Sequence, residues 1–228
     1  MIDAAGPACV AVKPQLACFE RHGSAGWRAL EDVVAAAHDA GLLVVADGKR
    51  GDVPFTAKVY AEGLTSNLGA DAFTVNPLLG DDATQPFIDA AAAAGSGVFV
   101  LVRTSNPGAA ELQDASLEGR PLHEHLAELV ARHAAELAGS SGLSGMGAVI
   151  GATAPQHMSR LRELMPDSIF LVPGVGAQGG RPEDLGPAFA PGRPASVLVP
   201  AARSIAGADD PGAAAEELRS ALWEVSAA

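Results

Sequence analysis

Leu42-Leu43-Val44-Val45-Ala46 runs directly into Asp47-Gly48-Lys49-Arg50-Gly51-Asp52-Val53-Pro54. The apolar run reads as a strand buried on both faces. Two acids and two bases then crowd into six residues. Asp47 and Lys49 are two apart, so in an extended chain their side chains share one face. Gly51 is expected to let the backbone turn sharply before Asp52. Charge concentrated at the end of a buried strand is where an α/β barrel enzyme keeps its chemistry. Alone, the stretch reads better as a solvated strand-to-helix turn, so the rest of the chain decides.

Outward from this stretch, strands and helices alternate. Apolar runs predict strands at Cys9–Val12, Leu42–Ala46, Ala72–Val75, Val98–Val102, Ala148–Ile150, Ile169–Val172 and Val197–Val199. Ala-rich segments predict helices at Gly26–Ala40, Phe55–Leu68, Ala83–Ala94, Leu122–Leu137, Pro155–Met165, Pro182–Phe189 and Pro211–Val225. Seven regularly spaced βα units predict an α/β fold of the (β/α)8 TIM-barrel type, as one domain over residues 1–228. The barrel needs eight units, so the expectation is of one missing at the N-terminus. Asn106–Arg120 reads as a mobile loop, and Gly139–Gly145 as a second, Gly/Ser-rich connection.

Composition excludes several function classes. The chain has 228 residues, 48% of them apolar, and a formal net charge of −12. That charge argues against a nucleic-acid surface and against attraction to an anionic membrane. No run approaches the ~20 apolar residues of a membrane span. A basic, then apolar, leader is not evident, which predicts a cytoplasmic protein. Cys9 and Cys18 have no metal-ligand spacing and read as packed, reduced thiols. His123, His125 and His133 read as surface groups of one helix, and His38 and His157 as isolated. Lys58 and Glu62 form an i,i+4 pair. Trp27 and Trp223 read as packing residues.

The predicted strand ends are polar. Lys13, Asp47 and Lys49, Asn76, Arg103-Thr104-Ser105-Asn106, Thr153, Pro173-Gly174-Val175-Gly176-Ala177-Gln178-Gly179-Gly180 and Arg203 follow successive strands. The glycine-rich stretch, including Gly176 and Gly179, can bring backbone N–H groups to an anion. Arg203 ends the next strand. Barrels commonly bind phosphate after their last two strands, so these residues and the Gln178 amide point to a phosphate.

In order and spacing, these motifs resemble the orotidine 5′-phosphate decarboxylase family, in the bacterial branch whose signature reads Asp-x-Lys-Arg-Gly-Asp. Val12-Lys13-Pro14-Gln15 with Phe19-Glu20-Arg21 is similar to the family's second strand and loop. Asp47, Lys49, Asp52 and Thr56 match its charged core. Thr74-Val75-Asn76-Pro77, Arg103-Thr104-Ser105-Asn106-Pro107, Gly151-Ala152-Thr153 and Pro173–Gly179 match later strand ends.

The resemblance implies cofactor-free decarboxylation of a nucleotide, orotidine monophosphate, to UMP. It makes Lys49 the proton donor and places Asp52 beside the departing carboxylate. Asp47 and Lys13 complete a charge network around Lys49, since an unpaired buried ammonium tends to lose its proton. It further implies a homodimer in which Asp52 and Thr56 reach the partner's site. Ser105 becomes the pyrimidine contact, and Gln178 and Arg203 hold the 5′-phosphate. Departures are Gly48, where the family carries Ala, and Pro54-Phe55-Thr56, where close relatives often carry Gly-Ser-Thr. The family's first strand, with an Asp that contacts the ribose, has no counterpart. Rival expectations are a Mg2+-dependent sugar-phosphate decarboxylase or aldolase of the same superfamily, a non-catalytic nucleotide-phosphate-binding paralogue, and an enzyme for a modified nucleotide.

Overall fold

The computed structural model describes residues 1–227. Its main sheet has seven parallel strands in the order β1 (Ala11–Val12), β2 (Leu43–Arg50), β3 (Ala72–Val75), β4 (Gly97–Arg103), β7 (Ser144–Ile150), β8 (Ser168–Leu171) and β9 (Val197–Leu198). Between β4 and β7 lies a two-stranded hairpin of β5 (Ser116–Leu117) and β6 (Arg120–Pro121). Every strand of the main sheet neighbours the next one along the chain, as right-handed βα units dictate. Among the described residues no pairing joins β1 to β9, so the curled sheet has two parallel edges.

Side chains alternate across each strand. One set faces inward: Val45, Ala72, Phe99, Val149 and Leu171 cluster there, with Ala11, Leu101, Ile169 and Leu198 against them. The other set, including Val44, Ala46, Phe73, Val100, Ile150 and Phe170, packs against the helices. Burial on both faces is why these strands read as continuous apolar runs. The helices are α1 (Ile2–Ala5), α2 (Leu16–Glu20), α3 (Gly23–Asp39), α4 (Pro54–Glu62), α5 (Asp81–Ala94), α6 (Ala109–Gln113), α7 (Leu122–His133), α8 (Met158–Leu164), α9 (Arg203–Ala206) and α10 (Pro211–Ala227). Phe87 of α5 meets Phe73 of β3 with ring centroids 6.0 Å apart. Fully burying each such side chain contributes about 1.5–3 kcal/mol.

Several expectations change. The helix expected at Phe55–Leu68 ends at Glu62 and continues as one π-helical turn, Gly63–Asn67. Pro182–Ala188 is 3-10 helical, with Pro187 inside it. The predicted loop 106–120 instead forms α6 and the β5–β6 hairpin. Its turn residues Glu118 and Gly119 have φ of 52° and 82°, the two left-handed positions of a tight hairpin. The histidines are the larger correction: His123 is 2% and His133 9% exposed. Nor is His157 isolated, since its ring centroid lies 4.5 Å from that of His123. Cys9, Cys18, Trp27 and Trp223 are exposed rather than packed. Arg162, which stands in no motif, is buried. Its guanidinium lies over the Phe170 ring and donates to the carbonyls of Met165, Ser168 and Ala188. Burial lowers its pKa to about 10.

Candidate active site

The inward face of the sheet carries the charge to one end. Two residues beyond Ala11 comes Lys13, two beyond Val45 comes Asp47, two beyond Ala72 comes Thr74, and two beyond Leu101 comes Arg103. Strand periodicity therefore delivers these side chains to the carboxyl-terminal mouth, above the apolar interior.

Asp47, 5% exposed, is the centre of the group. Its Oδ2 accepts from Lys13 Nζ at 2.5 Å and its Oδ1 from Lys49 Nζ at 2.6 Å. Gln15 Nε2 donates to Oδ2 at 3.4 Å. Burial alone would raise the Asp47 pKa. The charges and hydrogen bonds of Lys13 and Lys49 outweigh that and hold it below the usual carboxylate range. Thr74 was not singled out in the sequence, yet it ties the group together. Its hydroxyl donates to Asp47 Oδ1 at 3.0 Å and accepts the Lys49 N–H at 2.8 Å. In the sequence it entered only as part of the Thr74–Pro77 match, with no role assigned, and its alternation with Ala72 puts it on the inward face.

The sharp turn expected at Gly51 falls at Lys49, whose φ is 47°. The β2–β3 register shifts between Ala46 and Arg50, so Lys49 sits on a bulge that re-aims its side chain. Gly51 has another role. A Cβ there would lie 2.6 Å from the Asn76 carbonyl oxygen, so glycine permits close approach of two strand-end loops. Asn76 itself closes a turn, its Oδ1 accepting from the Leu78 N–H. Arg50 points away from the group to pair with Glu20.

Asp52 and Thr56 stand apart. Among the described residues, the Asp52 carboxylate accepts only from its neighbour's N–H, that of Val53 at 2.8 Å. Thr56 lies in the first turn of α4. Across the mouth, Ser105 Oγ donates to Gln178 Oε1 at 2.9 Å. Arg103, Ser105, Asn106, Pro107, Thr153 and Gln178 line a cavity of about 460 Å³. In the glycine-rich loop, Gly176 has φ of 75° and Gly179 of 92°. Gly176 lies against Ser204, which follows Arg203 at the start of α9. Arg203 is exposed and turned to solvent beside that loop.

Asp114, His123 and His157 form the one group with metal-ligand spacing among the described residues, its atoms within 4.8 Å of one another. Both Asp114 oxygens already accept from the Arg103 guanidinium, at 2.7 and 2.9 Å.

A family model described as orotidine 5′-phosphate decarboxylase / HUMPS matches residues 1–218. The chain belongs to this family. It is 43% identical over 192 residues to an orotidine 5′-phosphate decarboxylase of Rhodopirellula baltica, covering 81% of this chain and 64% of that protein. An orotidine 5′-phosphate decarboxylase of Deinococcus radiodurans is 43% identical over 207 residues, with 90% and 74% covered. Thus the aligned part spans just under two thirds of the first relative's length. The structure of Leishmania donovani OMP decarboxylase superposes with a TM-score of 0.85 at 36% identity, covering all of this chain and 85% of that one. No described helix is long and apolar enough to cross a membrane.

Proposed function

We propose that this chain decarboxylates orotidine 5′-phosphate to UMP, the last step of de novo pyrimidine synthesis, in the cytoplasm and without a metal or organic cofactor. The observation that carries the reading is the Lys13–Asp47–Lys49 array at the mouth of the barrel. When the C6–carboxylate bond breaks, the electron pair stays on C6 in an sp2 orbital that the ring cannot delocalise. An ammonium fixed beside C6 stabilises that pair and delivers its proton to it, as CO2 leaves. Asp47 holds the Lys49 ammonium in place, and Thr74 holds both Asp47 and the Lys49 backbone. With its carboxylate taken up by two ammonium groups, Asp47 has no charge left for Mg2+, which disfavours the sugar-phosphate rivals.

Ser105 contacts the pyrimidine. Because Gln178 accepts the Ser105 proton through Oε1, its Nε2 is left to donate to the 5′-phosphate, with the Arg203 guanidinium, whereas the Gly176 and Gly179 N–H groups are spent on the carbonyls of Gly180 and Gly176 and shape the loop instead of holding the anion. Phosphate binding then contributes energy far from C6 for closing the site over the base.

The working unit is a homodimer, and Asp52 and Thr56 act in the partner's site. Support comes from the Asp52 carboxylate, whose one partner among the described residues is the Val53 N–H, and from exposed apolar side chains close to it in the sequence. Val53, Phe55 and Val59 are 54%, 82% and 56% exposed, and Leu78 and Leu79 on the adjoining loop 64% and 48%. Exposed large apolar side chains in such number fit a protein interface.

The test is Lys49→Ala. It should lose at least about 10³-fold in turnover of orotidine 5′-phosphate, the scale of a lost proton donor plus a lost charge. It should bind UMP within about tenfold of wild type by calorimetry, since base and phosphate contacts lie elsewhere. Substantial residual turnover would refute the role of Lys49, and an inactive wild-type dimer would refute the reaction.

A further inference from the structure

The geometry points to Gln113 and Asp114 as positioning residues for this site: they hold the strand-end segment Thr104-Ser105 and thereby fix the Ser105 hydroxyl against Gln178. For its assay on substrate the inference rests on the decarboxylase reading. Its structural content does not.

The chain leaves the sheet at Arg103, and every polar group of the next residue is claimed. The Thr104 N–H donates to Gln113 Oε1 at 2.7 Å. Its hydroxyl meets the same amide, accepting from Nε2 at 3.0 Å. Its carbonyl accepts from Arg103 Nη1 at 2.8 Å. Arg103, 7% exposed, is itself fixed because Nε and Nη2 form a two-pronged pair with Asp114, at 2.7 and 2.9 Å. The Arg103 hydrogen bond, followed by its charge, outweighs burial and keeps the Asp114 carboxyl below the usual carboxylate range.

Asp114 is braced from behind. His123 Nδ1 lies 3.0 Å from its Oδ1 and 2.9 Å from the Gln113 carbonyl. His157 packs on His123 with its Nε2 3.9 Å from the same oxygen. One step further along the chain, the Ser105 carbonyl accepts from Thr153 Oγ1 at 3.0 Å. Ser105 is thus clamped between the 113–114 pair on one side and Thr153 on the other. Neither Gln113 nor Asp114 reaches Gln178, so what they do for the Ser105–Gln178 contact passes through Arg103 and Thr104 to Ser105.

That last point separates positioning from plain stabilisation. The experiment is a pair of double-mutant cycles on kcat/KM for orotidine 5′-phosphate, crossing Asp114→Ala and Gln113→Ala each with Ser105→Ala. Each single variant should lose about tenfold or more, the scale expected when a reacting contact is misplaced by less than an ångström. In the Ser105→Ala background the further loss should shrink to about twofold or less. Losses that simply multiply would overturn the inference. Should Asp114→Ala, which leaves Arg103 buried and unpaired, not fold, Asp114→Asn and the Gln113 cycle decide it. Backbone amide exchange at Thr104 and Ser105 gives a second readout in each single variant of the dimer. Faster exchange confined to this segment is expected, and unchanged exchange overturns the inference. Absence of turnover in wild type would refute the decarboxylase reading alone, and amide exchange would still decide whether 113–114 hold the segment.

Discussion

Lys49 carries a backbone cost that substitution can measure. Its φ of 47° lies in the left-handed region, where a side chain costs about 1–2 kcal/mol. The cost is sustained by the Lys49 N–H bond to Thr74 and by the bulge in β2. Lys49→Ala keeps the cost, whereas Lys49→Gly relieves it. Both variants leave Asp47 with Lys13 as its remaining ammonium partner, so the lost ion pair cancels in the comparison. Glycine in turn gives up about 0.5–1 kcal/mol through greater freedom of the unfolded chain. The net expectation is that Lys49→Gly is more stable than Lys49→Ala by about 0.5–1 kcal/mol. For a chain of this size that is a melting temperature higher by about 1–4 °C. Differential scanning calorimetry of the two variants at equal protein concentration reads it directly. Equal stability, or a more stable alanine variant, would refute the claim that strain is stored at this residue. Both variants should be inactive, so that stability and turnover separate at one position.

Three other expectations concern the site and the exposed apolar residues beside it. Gly151→Ala would place a Cβ 2.6 Å from Ser105 Cα and 2.7 Å from its N. Relief requires a backbone shift of about 0.8 Å, which predicts up to ~10²-fold lower kcat/KM and an overpacking cost of about 1–3 kcal/mol; wild-type kinetics would refute the placement of Ser105. Among the exposed apolar residues, Phe55→Glu should leave the subunit folded but shift sedimentation from dimer to monomer and lower turnover, because an exposed side chain contributes little within one chain. Mixing inactive Lys49→Ala and Asp52→Ala subunits should then recover about a quarter of wild-type activity, since half the dimers are mixed and each has one complete site. No recovery after verified exchange would place Asp52 in its own chain's site.

The barrel was legible because parallel strands buried on both faces write themselves as apolar runs. All seven predicted strands are present, and the charged ends fall at the mouth where periodicity puts them. What failed is what local sequence does not encode. The stretch 106–120 has the glycine, proline and polar content of a loose loop. It is ordered by Arg103 and His123, which reach it from a strand end and from the next helix. The buried histidines failed for a related reason. Helical spacing says which residues of α7 share a face, but only packing against α8 and the 3-10 turn before it brings His157 to His123.

The same distinction runs through the site. Lys13, Asp47 and Lys49 announce themselves because a charged residue at the end of a buried strand has no packing role to fill. Thr74 and Asp114 do not, because a strand threonine and a loop aspartate are ordinary where they stand. Their importance arises only on closure: Thr74 lies across one strand spacing from Asp47, and Asp114 returns to Arg103 across a sequence separation of 11. Each holds a charged residue at the mouth, Thr74 holding Asp47 and Asp114 holding Arg103. A sequence displays the groups that do chemistry, since those break local rules. The groups that hold them obey local rules, so they emerge only from distances.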